Sequence, residues 1–316
     1  MPRKIWATCR RWMMLKNFKL HHDRPKDFVH FWLFPSSLPY AIFVTGVSVY
    51  TVVMGLVSGF LSVYGVKIFI WLTYWSFFTL TARFIVTAVN AWRYIVFTRR
   101  SHRAANQATS HCPDMPVLYK IQWLLQNMSN CSAVIVAGLY WIVLYSGQPD
   151  TFISINSHAL NSVLVIVDVM VSRAPVRVQH LVYTFLFMLV FTIFTVVYWA
   201  AGGTNHKGQH YIYSTLDYTH KPWLAVAMIA GVLLIAVPLV QIIVYGFFRL
   251  RICIEGLSSS FAARTTQKSC NGENRCGPGH TVGGLDLRCS NAMHNKDREA
   301  GARRWLLLRR HTWRQG

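Results

Sequence analysis

The sequence predicts an all-α, polytopic membrane protein of six transmembrane helices followed by a disordered, basic C-terminal tail. Three observations carry this. Hydrophobic residues make up 53% of the 316 and aromatics 14%, with a positive mean hydropathy. The apolar residues gather into long runs, and a formal charge of +21 sits in the two tails and one loop that flank those runs. Basic residues so placed orient a chain in a membrane. With no paired zinc ligands and no aromatic RNP-like strand, they argue against nucleic acid as a partner. Seven cysteines, an odd number without regular spacing, argue against a disulfide framework.

Residues 1–38 read as a basic cytoplasmic arm. Basic residues interrupt MPRKIWATCRRWMMLKNFKLHH throughout, so it lacks the apolar core of a cleavable signal, and insertion is expected to begin at the first span. Ile5, Trp6, Cys9, Trp12 and Met13 could line one face of an interfacial helix. The transmembrane domain is expected over 39–250, beginning with a span at 40–64 that holds no charge and exceeds the roughly 20 residues that cross hydrocarbon. A second span, 68–90, carries Thr73 near its start and Arg83 deeper in. A basic loop leads to the third, 121–145, whose Gln122, Gln126, Asn127, Asn130 and Ser132 must face other helices, since lipid offers no hydrogen bonds. Two glycosylation sequons, at Asn127 and Asn130, are discounted because they fall inside this span.

The fourth span, 152–172, reads FISINSHALNSVLVIVDVMVS and carries Asn156, His158, Asn161 and Asp168. Span five covers 180–201. The loop 202–222, with three histidines and three tyrosines, is expected to cap whatever the bundle encloses. Span six, 223–248, contains Pro238, tolerated where neighbours satisfy the freed carbonyl. The tail, 251–316, has too few aliphatic residues to bury a core and is expected to be disordered. Its Cys270, Cys276, His280, Cys289 and His294 fit no usual pair of zinc ligands.

Charge sets the orientation. With a cytoplasmic N-terminus, only Lys67, Lys207 and Lys221 of the 32 Lys and Arg fall outside, and Arg83 lies within a span. Both termini are therefore expected to be cytoplasmic, in the plasma membrane or the endoplasmic reticulum.

Spans two and four descend from the outer face, so depth can be compared along them. Thr73 and His158 each lie about six residues in, roughly 9 Å below the entrance. Ten residues further along each helix come Arg83 and Asp168, roughly 15 Å deeper. A buried Arg and a buried Asp are each costly alone, so the matched offsets predict a structural ion pair. A hydroxyl level with an imidazole is the minimum for nucleophilic catalysis. A third, orienting group would have to come from Asn156, Tyr213 or Asp217. Asn127, Asn130, Asn156 and Asn161 are expected to line a polar pocket between spans two, three and four. The competing reading for His158 is a packing histidine, and for Thr73 a hydroxyl returned to the preceding turn.

Taken in order, KLHHDRPKDFV, SHALNSVLVIVDVMVSRAPVRVQHLVY, YWAAGGT and YIYSTLDYTHKP resemble the rolling stone proteins, which are multi-span membrane proteins related to the androgen-induced family of membrane hydrolases. The resemblance covers nearly the whole chain outside the tail. Those relatives hydrolyse fatty acid esters of hydroxy fatty acids with an intramembrane threonine and histidine. Their threonine lies in an FLTF-like stretch similar to WLTY here, which implies Thr73 as nucleophile. Their histidine lies ten residues before a membrane acid, as His158 does before Asp168, which implies His158 as base. They carry a further histidine just before it, where this chain reads SINSH.

The expected function is a threonine-type lipid ester hydrolase working on membrane lipids, with no metal and no cofactor. Rolling stone proteins are associated with myoblast fusion, which implies the alternative: a non-enzymatic protein of cell fusion or adhesion, meeting a membrane-protein partner through loop 202–222. Replacing that loop by a neutral linker is expected to spare a hydrolase and disable a fusion protein.

Overall fold

The computed structural model describes residues 18–61, 65–103, 115–144 and 152–273. Six long helical segments organise Leu15–Ser258, which forms one compact unit. Of a second unit, Met1–Met14 with Ser259–Gly316, the described part is 259–273, the end of the last helix.

Helix α1 is Leu38–Leu61. It starts after Pro35, Ser36 and Ser37, where the Ser36 hydroxyl accepts the Leu38 N–H at 3.2 Å and caps an end that would otherwise leave donors open. A 3-10 turn, Gly65–Ile70, leads to α2, Leu72–Arg103. Gly65 opens the turn at φ 53, in the left-handed region that glycine enters without strain. Helix α3, Val117–Leu139, continues as a π-helical turn, Tyr140–Leu144. Helix α4 consists of Phe152–Ile155 and Asn161–Val171 joined by a π turn, Asn156–Leu160. Helix α5 is Leu181–Ala200. Helix α6 runs as Pro222–Gly231, a π turn Val232–Ala236, and Val237–Glu273. Its Pro222 sits in the first turn, where the missing N–H costs nothing. Among the described residues no β-strand forms. An isolated antiparallel bridge pairs Phe31 with Ser172.

Four helical segments are long and apolar enough to cross a membrane: Leu38–Gly59, Leu72–Thr98, Val178–Ala200 and Pro222–Phe261. The other two, α3 and α4, differ for a physical reason. In α3 the side chains of Gln122, Gln126, Asn127, Asn130 and Ser132 lower the hydropathy, and all five are buried. Helix α3 packs against α2, α4 and α5, so its amides meet protein. Asn90 Nδ2 donates to Gln122 Oε1 at 2.8 Å, and Gln122 Nε2 to the Phe28 carbonyl at 2.9 Å. Helix α4 is apolar over Asn156–Val171 but shorter than the four, and it carries the buried amides of Asn156 and Asn161.

Two apolar cores flank this polar centre. One joins Val44 of α1, Leu80 and Phe84 of α2 and Val165 of α4. The other joins Ile135 and Val136 of α3, Met188 and Phe191 of α5 and Val237 and Val240 of α6.

Three expected boundaries shift. The arm 1–38 is not all peripheral: Pro25–Val29 forms a 3-10 turn, and Phe28 and Val29 are fully buried. Phe28 packs edge-on against Trp123 at 5.2 Å, because its ring removes more apolar surface from water there than on the outside. The proposed interfacial helix of Ile5 to Met13 lies outside the described residues. Helix α2 runs past residue 90 into the basic loop, and α6 runs past 248 to Glu273. The expected tail therefore begins as helix, and residues from 274 onward lie outside the described residues.

Candidate functional site

Thr73 and His158 lie on the walls of one open cavity of about 80 Å³. Val136 and Val143 of α3, Met188 and Phe191 of α5, and Met228 and Val232 of α6 supply most of its apolar lining, while Tyr213, Thr215 and Leu216 come from the loop 202–222. An apolar cleft with a few converging polar groups is the usual form of a site for a small or lipid-like molecule. Each of the three π turns contributes to its wall, through Tyr140 and Val143, through His158, and through Val232. Such turns are rare in helices and concentrate at functional sites.

Thr73 is the second residue of α2, in the turn where backbone N–H groups lack helical partners and the dipole favours negative charge. Hydroxyls further along the spans return to their own helices: Thr45 donates to the Ala41 carbonyl at 2.6 Å, Thr79 to Trp75 at 2.8 Å and Thr87 to Arg83 at 2.8 Å. Thr73 is bonded to the Tyr213 phenol instead. The Tyr213 oxygen also accepts the Leu72 N–H at 3.0 Å and the Thr73 N–H. Burial pushes the Tyr213 phenol up to about 12, so it stays neutral across the working pH range. Tyr213→Phe is expected to leave the donors of this first turn without their acceptor and to lower any turnover at Thr73 by about tenfold to a hundredfold; kcat measured on matched membranes checks it.

The His158 ring stacks on Tyr140 with centroids 3.7 Å apart and planes 3° from parallel. The Tyr140 hydroxyl is in turn joined to Ser154 Oγ at 2.7 Å, so the imidazole plane is fixed from one side. Of the three residues expected to orient it, none is placed against the ring by a described contact. Tyr213 serves Thr73. Asn156 accepts the Tyr50 hydroxyl. Asp217 accepts the N–H groups of Thr219 and His220 at 3.1 and 3.0 Å. Tyr140, not singled out from the sequence, holds one face of the histidine ring. Its apolar neighbours made it read as part of a lipid-facing run.

Arg83 and Asp168 meet as a fully buried ion pair. Arg83 Nη1 also donates to Asn130 Oδ1 at 2.9 Å, and the Tyr40 hydroxyl donates to Asp168 Oδ1 at 3.1 Å. The four asparagines expected to line the pocket are not among this cavity's lining residues. Asn127 bonds the Trp123 carbonyl at 2.7 Å and the His180 ring at 3.0 Å, and Asn161 donates to the Ser157 carbonyl at 2.8 Å. Asn127, Asn130 and Asn156 link separate segments, through His180, Arg83 and Tyr50, while Asn161 bonds within its own helix.

The loop 202–222 is built as a roof. Lys67 Nζ donates to Thr204 Oγ1 at 3.0 Å and to the Asn205 carbonyl at 2.8 Å, and Trp71 meets the Tyr213 ring edge-on at 5.1 Å. The Asn205 side-chain oxygen accepts the Lys207 and Gln209 N–H groups at 2.9 and 3.0 Å. Because the roof supplies part of the cavity wall, a linker in its place would not spare a hydrolase, contrary to the expectation from sequence. Gly203 abuts the Tyr198 ring: a β-carbon there would lie 2.5 Å from it. That ring is pinned by stacking on Phe194 at 5.8 Å and by its hydroxyl bond to the Thr204 carbonyl at 2.9 Å. Gly203→Ala is therefore expected to destabilise the folded chain by about 1–3 kcal/mol, read as a lowered melting temperature in detergent.

Among the described residues no group of three or more His, Cys, Asp or Glu could hold a metal ion.

The model of the family described as "Protein rolling stone" matches residues 22–265. The chain is 31% identical over 218 residues to "Protein rolling stone" of Drosophila melanogaster, a match covering 67% of this chain and 75% of that protein. No solved structure matches.

Proposed function

The chain belongs to the rolling stone family, and on that premise we propose that it is a six-span membrane protein acting as a threonine-type hydrolase of lipid esters. The observation that carries the reading is the shared cavity of Thr73 and His158, apolar in its walls and roofed by Tyr213. Four helices are long and apolar enough to cross a membrane. Helices α3 and α4 make the fifth and sixth crossings with their polar faces turned to the bundle, and both termini are cytoplasmic.

In this mechanism the Thr73 oxygen attacks the ester carbonyl while neutral His158 takes its proton. The N–H groups of the first α2 turn are already engaged, Leu72 by the Tyr213 oxygen and Tyr74 and Trp75 by the Trp71 carbonyl, so the developing oxyanion meets only the positive end of the α2 dipole. Collapse breaks the ester C–O bond, and the imidazolium returns the proton to the leaving alcohol. Water, activated by the same imidazole, then releases the acid and restores the threonine. Asp168 takes no part, being committed to Arg83 and Tyr40.

The test is hydrolysis of a panel of lipid esters, branched fatty acid esters included, by membranes expressing the chain. Turnover above vector-only membranes is expected. A well-folded wild type inactive across the panel overturns the reading.

A further inference from the structure

We propose that the end of the bundle opposite the cavity holds an anionic phospholipid, its phosphate seated between Arg173 and Arg251. The two guanidinium groups share one carboxylate: Glu255 lies 3.3 Å from Arg173 Nη2 and 3.8 Å from Arg251 Nη1. Asp27 lies near enough to act on both cations, but its carboxylate pairs with Arg24 Nε at 3.3 Å and His22 Nε2 at 3.2 Å and, among the described residues, makes no ion pair with either arginine. Each arginine also keeps a buried Nε with no acceptor among the described residues. For Arg251 this is costly, since its side chain is only 4% exposed. The side chains of Arg173 and Glu255 are 40% and 36% exposed, so a ligand can reach the pair by displacing the Glu255 carboxylate into water.

The surroundings select an amphiphile over a free ion. Along α6, Leu250, Ile254 and Leu257 are exposed at i, i+4 and i+7, on a stripe beside Arg251 and Glu255. On the other flank, Arg173 N donates to the His30 carbonyl at 3.0 Å and Trp32 N to Val171 at 3.2 Å. These bonds lay His30 against the Arg173 backbone and Trp32 against that of Val171, so the bundle fixes the position of Arg173. A cationic centre beside an exposed apolar stripe, where α6 leaves the hydrocarbon, matches a phosphate with its acyl chains, and basic sites between spans recognise acidic headgroups in this way. The site stands apart from the hydrolase reading. It requires only that the chain span the membrane, which reconstitution itself reports.

The experiment is binding of phosphatidic acid to the purified full chain in phosphatidylcholine nanodiscs, followed by native mass spectrometry, with inorganic phosphate as competitor. Arg173→Gln and Arg251→Gln are each expected to weaken binding about fivefold, the contribution of one basic side chain near an anionic surface. Glu255→Gln is expected to tighten it by a similar factor, because the competing carboxylate is gone. That gain also separates a binding role from a structural one, since loss of a stabilising ion pair would not improve affinity. Unchanged or weaker binding by a folded Glu255→Gln chain overturns the proposal. So does full competition by inorganic phosphate at the lipid's own concentration, which would make the ligand a free anion.

Discussion

Membranes carrying Thr73→Ala are expected to lose lipid ester hydrolysis by about 10³-fold or more relative to wild type at matched expression, and His158→Ala by a comparable factor. Removing the hydroxyl removes the atom that forms the covalent intermediate, and removing the imidazole leaves that hydroxyl protonated in an apolar cavity. Groups that act as a unit are not additive, so the double variant should be no slower than either single one. Packing roles would give another pattern. Thr73 touches the Tyr213 phenol and His158 stacks on Tyr140, so each single variant would lower stability separately and leave turnover per folded molecule unchanged. Activity normalised to the folded fraction, measured by size-exclusion chromatography in detergent, decides between them. Thr73→Ser supplies the conservative control: it keeps the nucleophile and should keep most of the rate.

How far the sequence could be read depended on whether a signal was periodic along one helix or returned from a distance. Leu38–Leu61 was legible because an uncharged run of that length has few other uses. The meeting of Arg83 with Asp168 followed from depth counting on two helices with a known rise per residue. The same counting put Thr73 and His158 at one level, and the structure sets both on one cavity. Tyr213 was a candidate for orienting His158, and its place beside Leu72 and Thr73 instead was not legible, because the conformation of a 21-residue loop is not encoded in any period. The π turns were not legible at all. A turn such as Asn156–Leu160 shifts the facing residues by one position, and a pattern read at 3.6 residues per turn passes over it. Phe28 and Val29 were misplaced for a simpler reason, since basic neighbours made a buried wedge look like a solvated arm.

Asp168→Asn is expected to destabilise the bundle by about 3–5 kcal/mol, the usual cost of leaving one member of a buried ion pair without the other. Arg83 is 2% exposed and Asp168 fully buried, so neither charge can reach water when its partner is lost. Asparagine would still accept from Tyr40, which now donates at 3.1 Å. It would not balance the guanidinium, whose Nε already has no acceptor among the described residues. Arg83→Met should cost a similar amount, stranding the carboxylate with Tyr40 alone. The double variant Arg83→Met with Asp168→Leu should recover most of the loss, because apolar side chains of similar volume remove both desolvation costs together. Thermal melting of wild type, Arg83→Met, Asp168→Leu and the double variant in one detergent completes the cycle, and additive losses in the double variant would show that the pair is not coupled. If coupling holds, the pair acts as a register pin. It fixes α2 against α4 at one rotation, and so holds Thr73 and His158, ten residues toward the cavity from Arg83 and Asp168 respectively, facing the same space.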